Sequence, residues 1–162
     1  MKENYLIKIE GVQESDGETN SIELMTKGSF IQRNGTGPFR LRERQPNVKT
    51  TFQRNGNYFI SYRETEATGY EGCTTTVKLD RSGMVSMLRF GPSPSQLTIE
   101  KGQRHLSHYE TGHGAITMGI AADEIVADLN ENGGSLHFSY NLDINSSLFS
   151  KNTVNITVRE AQ

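Results

Sequence analysis

The sequence predicts an all-β protein built as a single antiparallel up-and-down β-barrel, and three observations predict it. Short runs of alternating apolar and polar residues recur along the 162-residue chain. Sixteen glycines and four prolines punctuate those runs, as in barrels and sandwiches. Helical periodicity is confined to "AADEIVADLNEN", where Ile125 and Leu129 stand four apart, and a strand with Ile125, Ala127 and Leu129 on one face fits that segment equally well. Strands with one polar face, about ten of them, suit a closed barrel, because closure removes exposed edges. A two-sheet sandwich is the alternative.

The elements follow in order. "YLIKIEGV" sets Tyr5, Ile7 and Ile9 on one face against Lys8 and Glu10. "SIELMTKGSF" does the same with Ile22, Leu24 and Thr26, and "NYFISYRET" aligns Tyr58, Ile60, Tyr62 and Glu64. "CTTTVKLD" aligns Cys73, Thr75, Val77 and Leu79, and "GMVSMLRF", "SQLTIEKG", "RHLSHYET" and "GAITMGI" continue the series. The clearest run is "GSLHFSYNLDI", with Leu136, Phe138, Tyr140, Leu142 and Ile144 inward, and "NTVNITVRE" adds Val154, Ile156 and Val158. Turn pairs such as Asp16-Gly17 and Ser82-Gly83 link the runs, and links this short join antiparallel neighbours. The whole of 1–162 reads as one domain.

One stretch departs from this pattern. Residues 32–56, "QRNGTGPFRLRERQPNVKTTFQRNG", begin and end on the same four letters. They hold six basic residues and Glu43, a net of +5, so the rest of the chain carries −7 of its total of −2. Without 36–56 the flanks read "SFIQRNG–NYFISYRE", a hairpin with Asn-Gly at its tip, so 36–56 reads as an insertion there. Residues 38–45 are expected to fold back on 22–32, and 48–53 to pair with 57–62. The leading reading of Arg40, Arg42, Arg44 and Lys49 is a solvated decoration. The lesser one is a nucleic-acid-binding arm, against which stands an acidic body that repels phosphate.

Three segments carry a resemblance: "YFISYRETEATGYEGCTTTVKL", "MLRFGPSPSQLTIEKGQRHLSHYETGHGAITMGI" and "GGSLHFSYNLDIN". In order and spacing they resemble the bacterial YwiB-like family, a domain of unknown function with a calycin-type, lipocalin-like β-barrel. The resemblance covers 5–32 and 57–160. It implies the barrel, and it supplies no catalytic residue and no cofactor. Similar barrels hold small apolar ligands, although a fold alone confers no such role.

The chemistry is sparse. His105 and His108, three apart on a strand, point to opposite faces and cannot share an ion; His137 lies on a polar face and His113 between two glycines, so no metal site is expected. Cys73 has no cation or paired histidine beside it in sequence and reads as a small buried hydrophobe. No nucleophile elbow, phosphate loop or zinc-protease motif occurs, so no catalytic residue is assigned and a non-enzyme is favoured. Two charges break the inward pattern: Glu64 beyond Tyr62, and Arg89 beside Val85 and Met87. They read either as strand-end charges at the barrel mouth or as a ligand-binding cluster of Tyr62, Glu64, Arg89, Tyr109 and Tyr140. "MKENYLIKIEG" lacks an apolar signal region, and no run approaches the roughly 20 residues that span a bilayer. The lone cysteine permits no internal disulfide, so a cytoplasmic protein without membrane attachment is expected. Its expected role is non-catalytic binding of a small molecule or a protein partner, with an interior cavity of about 300 Å³ or more favouring the small molecule.

Overall fold

The computed structural model describes residues 2–33, 56–111 and 114–161, with the side chains of 108–111 outside that description. Its ten strands are β1 (Tyr5–Ser15), β2 (Glu18–Arg33), β3 (Asn57–Arg63), β4 (Thr74–Leu79), β5 (Val85–Phe90), β6 (Ser95–Ile99), β7 (Arg104–Thr111), β8 (Gly114–Asn130), β9 (Gly133–Ile144) and β10 (Ser147–Glu160). A single 3-10 turn, Glu66–Thr68, interrupts the β3–β4 connection, and no α-helix occurs among the described residues.

The ten strands form one sheet in the order β6-β5-β4-β3-β2-β1-β10-β9-β8-β7, and its nine ladders are all antiparallel. Chain neighbours are sheet neighbours except β6 and β7, and β10 returns to pair with β1, which curls the meander into a nearly closed barrel. The remaining seam lies between β6 and β7. There the turn at 100–103 closes on itself through Glu100 and Gln103, and Lys101 bridges to Ala122 of β8. His105 Nε2 and Glu100 Oε1, 2.9 Å apart, span the same corner.

Inward positions follow the period of two that the sequence carries. Ile7 and Ile9 of β1, Tyr58, Ile60 and Tyr62 of β3, and Thr75, Val77 and Leu79 of β4 are all buried. Leu136 and Phe138 of β9 and Ile156 and Val158 of β10 complete the opposite wall. One half of the barrel is filled. Phe30 stacks on Tyr58 with ring centroids 5.7 Å apart, Tyr5 meets Phe30 edge-on, and the Tyr58 hydroxyl donates to the Leu129 carbonyl at 3.2 Å. That bond gives the buried phenol a partner, and each fully buried side chain of this size contributes about 1.5–3 kcal/mol.

The segment "AADEIVADLNEN" is strand as far as Asn130, the end of β8, and it pairs with β9; β7 reaches no further along it than Ala121. A register shift between Ala122 and Glu124 inserts one residue, so Ile120 and Ala122 before it and Ile125, Ala127 and Leu129 after it all face inward. Ile125 and Leu129, the pair four apart that looked helical, both follow the bulge and share one strand face with Ala127.

β2 and β3 pair up to their ends, Arg33 opposite Asn57, so the chain leaves and re-enters the sheet at neighbouring positions. Both edges of β3 are occupied, by β2 and by β4. This corrects the expectation that 48–53 pair with 57–62, for which no free edge remains. The rest of the stretch read as an insertion, up to residue 55, lies outside the described residues.

Candidate functional site

The barrel is hollow at its other end. Continuing along the inward rows from the filled half, the side chains shorten or turn polar: β3 runs from Ile60 to Tyr62, β4 from Val77 to Thr75, and β5 from Val85 to Met87 and Arg89. These positions lie side by side, since Tyr62 pairs with Thr75, Thr75 with Arg89, and Arg89 with Ser95. One registered polar row thus crosses four strands on the inner face. Facing it are Ile9, Leu24, Tyr140 and Val154, and between the two walls lies an open cavity of about 490 Å³.

Four of the five residues expected to form a ligand cluster, Tyr62, Glu64, Arg89 and Tyr140, line this one cavity. The side chain of the fifth, Tyr109, lies outside the described residues. Glu64 stands one residue past β3, where its backbone N–H donates to the Cys73 carbonyl at 2.9 Å and fixes the chain as it leaves the strand. The Thr75 hydroxyl donates to Glu64 Oε1 at 2.8 Å. Burial, the charge of Glu64 and a hydrogen bond to its carboxylate all push the Tyr62 phenol above its ordinary range, with Thr75 and Arg89 pulling weakly the other way. Burial likewise raises the Tyr140 phenol, against a smaller opposing pull from Arg89. Both hydroxyls are therefore neutral donors at physiological pH.

Arg89 donates from Nη1 to Ser95 Oγ at 3.2 Å. Its guanidinium carbon lies 3.5 Å from the centroid of the Tyr70 ring. Tyr70 and Thr68 belong to the β3–β4 connection, which passes across the mouth as a strap and contributes both residues to the cavity lining. Arg89 Nε is shielded from solvent and has no hydrogen-bond partner among the described residues. Glu64 and Arg89 are thus both mouth charges and members of one cluster, yet they do not form an ion pair with each other.

A family model described as "Domain of unknown function (DUF1934)" matches residues 43–156. The chain belongs to this family. The crystal structure of the ywiB protein from Bacillus subtilis superposes with a TM-score of 0.64 at 20% identity, covering 98% of this chain and 92% of that one. At that identity the likeness is one of fold. No curated protein sequence matches the chain. The family match opens at residue 43, inside the stretch 36–56 that the sequence reading set apart from the family, so Arg44 and Lys49 fall within the matched span.

Arg40, Arg42, Arg44 and Lys49 all lie outside the described residues, and His113 and the side chain of His108 do too. In this DUF1934 barrel His137 sits on the outer face, 2.6 Å from Asn155 Oδ1 and 3.7 Å from Glu124. Cys73 is buried with its Sγ 4.0 Å from the Ser93 carbonyl, which suits a packed thiol. The sequence reading missed Thr75, Ser95 and Tyr70. A hydroxyl at an inward position among apolar ones was the available signal for Thr75. Tyr70 sits in a connection without periodicity and left no signal.

Proposed function

We propose that this barrel is a non-catalytic binding protein for a small amphipathic molecule, held in the mouth cavity. The observation that carries the reading is the cavity itself, about 490 Å³, with apolar walls and a short row of converging polar groups. Binding sites for small molecules have that size range and that mix of many apolar contacts with few directional ones. The filled half of the barrel gives the site a rigid floor, because its side chains interlock at Phe30, Tyr58 and Phe138. The kinship to calycin-type barrels belongs to the same proposal, as does a cytoplasmic location.

Uptake of the neutral fluorophore N-phenyl-1-naphthylamine tests the reading, alongside native mass spectrometry of protein purified from its own host. Val154 lines the cavity, and Val154→Trp fills it. The wild type is expected to enhance the dye's fluorescence saturably, and Val154→Trp to abolish the enhancement while the circular dichroism spectrum stays that of a β protein. Equal uptake by the filled variant, or none by the wild type, overturns the proposal.

A further inference from the structure

We infer that the head group taken by this cavity is a carboxylate monoanion, seated between Arg89 and Tyr140, with its apolar tail along Ile9, Leu24 and Val154. The inference rests on the cavity reading above and adds the ligand's chemistry. A guanidinium offers five N–H donors in a planar fork that matches a carboxylate. In Arg89 a single hydrogen bond, from Nη1 to Ser95, uses that fork among the described residues. The ring of Tyr70 covers one face of the group, so the donors left over lie at its edge.

Neighbouring acceptors do not fill the vacancy. Glu64 is the nearby carboxylate, and it is already engaged by Thr75 at 2.8 Å. Nε–H of Arg89 is shut off from solvent without an acceptor. The other guanidinium amine, Nη2, has no hydrogen-bond partner among the described residues and is not shut off, and a carboxylate drawn to it supplies a hydrogen bond and a counter-charge. The Tyr140 hydroxyl lines the same cavity, close enough to feel the charge of Arg89, and has no hydrogen-bond partner among the described residues. It stands as the second donor.

Charge selects among head groups. Glu64 and Arg89 are the charged residues among the described ones that line the cavity, and their charges sum to zero. A monoanion leaves the mouth with one net charge and a dianionic phosphate with two, so the monoanion leaves the smaller excess. A cation is repelled by Arg89, and an alcohol or amide gains a hydrogen bond without the charge.

Calorimetric titration with octanoate, octanamide, octanol, octylammonium and octyl phosphate tests the assignment in the wild type, Arg89→Gln and Tyr140→Phe. Octanoate is expected to bind about tenfold more tightly than octanol or octanamide, the effect of a charge-assisted hydrogen bond. Arg89→Gln should erase that preference while the circular dichroism spectrum stays that of a β protein, and Tyr140→Phe should reduce it. Octanol or octanamide binding as tightly as octanoate overturns the inference, and so does a preference that survives Arg89→Gln or a preference for octyl phosphate. Dye uptake by a wild type that ignores octanoate sinks the head-group assignment and leaves the cavity reading standing. Failure of dye and octanoate together sinks both.

Discussion

Arg104 and Asp143 meet across Gly119. Arg104 Nε donates to Asp143 Oδ2 at 2.8 Å and Nη2 to Oδ1 at 2.6 Å, a two-pronged pair that reaches from β7 over β8 to β9. It is possible because position 119 has no side chain. A Cβ built there would collide with Arg104 Nε and crowd Asp143 Oδ2. β7 is the strand beside the seam and has one ladder, to β8, and this pair ties it to a second strand as well.

Gly119→Ala is therefore expected to open the pair and loosen β7. Hydrogen exchange should speed up at the amides of 104–107, while those of β1 and β10 stay unchanged. Exchange at 104–107 matching the wild type would show that the pair does not secure the strand.

The same pair sets an acid limit. Hydrogen bonds from Arg104 hold the Asp143 carboxyl below its ordinary value of 3.8, with the charge of Arg104 adding to the effect. A lowered folded-state value means that the unfolded chain takes up the proton first as pH falls. The stabilisation is whole above the ordinary value and is lost as pH drops through the lowered one. Asp143→Asn should flatten that part of the acid limb of the urea midpoint and leave the shape of the curve near neutrality unchanged. An acid limb as steep as that of the wild type counts against the pair.

Phe138 has no exposed surface and stacks on Tyr140 at a centroid distance of 6.2 Å. Phe138→Ala should cost about 3–5 kcal/mol in urea unfolding, the transfer of the ring plus the cavity it leaves. A cost below about 1 kcal/mol would mean that the filled half is not close-packed.

Much of this was legible in the sequence, for a physical reason. Alternation reports the two faces of a strand, so Leu136 and Phe138 of β9 and Ile156 and Val158 of β10 declared themselves as core. Glu64 and Arg89 declared themselves too, because a charge in an inward row needs an explanation that a surface charge does not. Sequence says little about which strands lie side by side at what register. The bond between Arg104 and Asp143, the row from Tyr62 to Ser95, and the occupied edges of β3 all depend on that. The bulge in β8 was hidden for the same reason, since one inserted residue shows only against the register of its partner strand.

The mouth also sets an alkaline limit. Tyr62 and Tyr140 hold their protons above the ordinary tyrosine value of 10.0, through burial first and, for Tyr62, through the adjacent Glu64. A raised folded-state value means that the folded protein prefers the neutral phenol. This contribution is whole below pH 10 and is lost as pH climbs past the unfolded value, where the unfolded chain ionises freely. The phenols of Tyr62 and Tyr140 should therefore lag in an ultraviolet titration of the native protein behind their ionisation in denaturant. Tyr62→Phe should remove one lagging phenol and move the alkaline unfolding midpoint upward, because one fewer buried group has to ionise. Thr75 remains on Glu64 in that variant, so the carboxylate keeps a partner and the fold should survive. Native and denatured titrations of the wild type that superimpose would show instead that the Tyr62 and Tyr140 hydroxyls are open to water, and the mouth would then lack the dry polar row on which its selectivity depends.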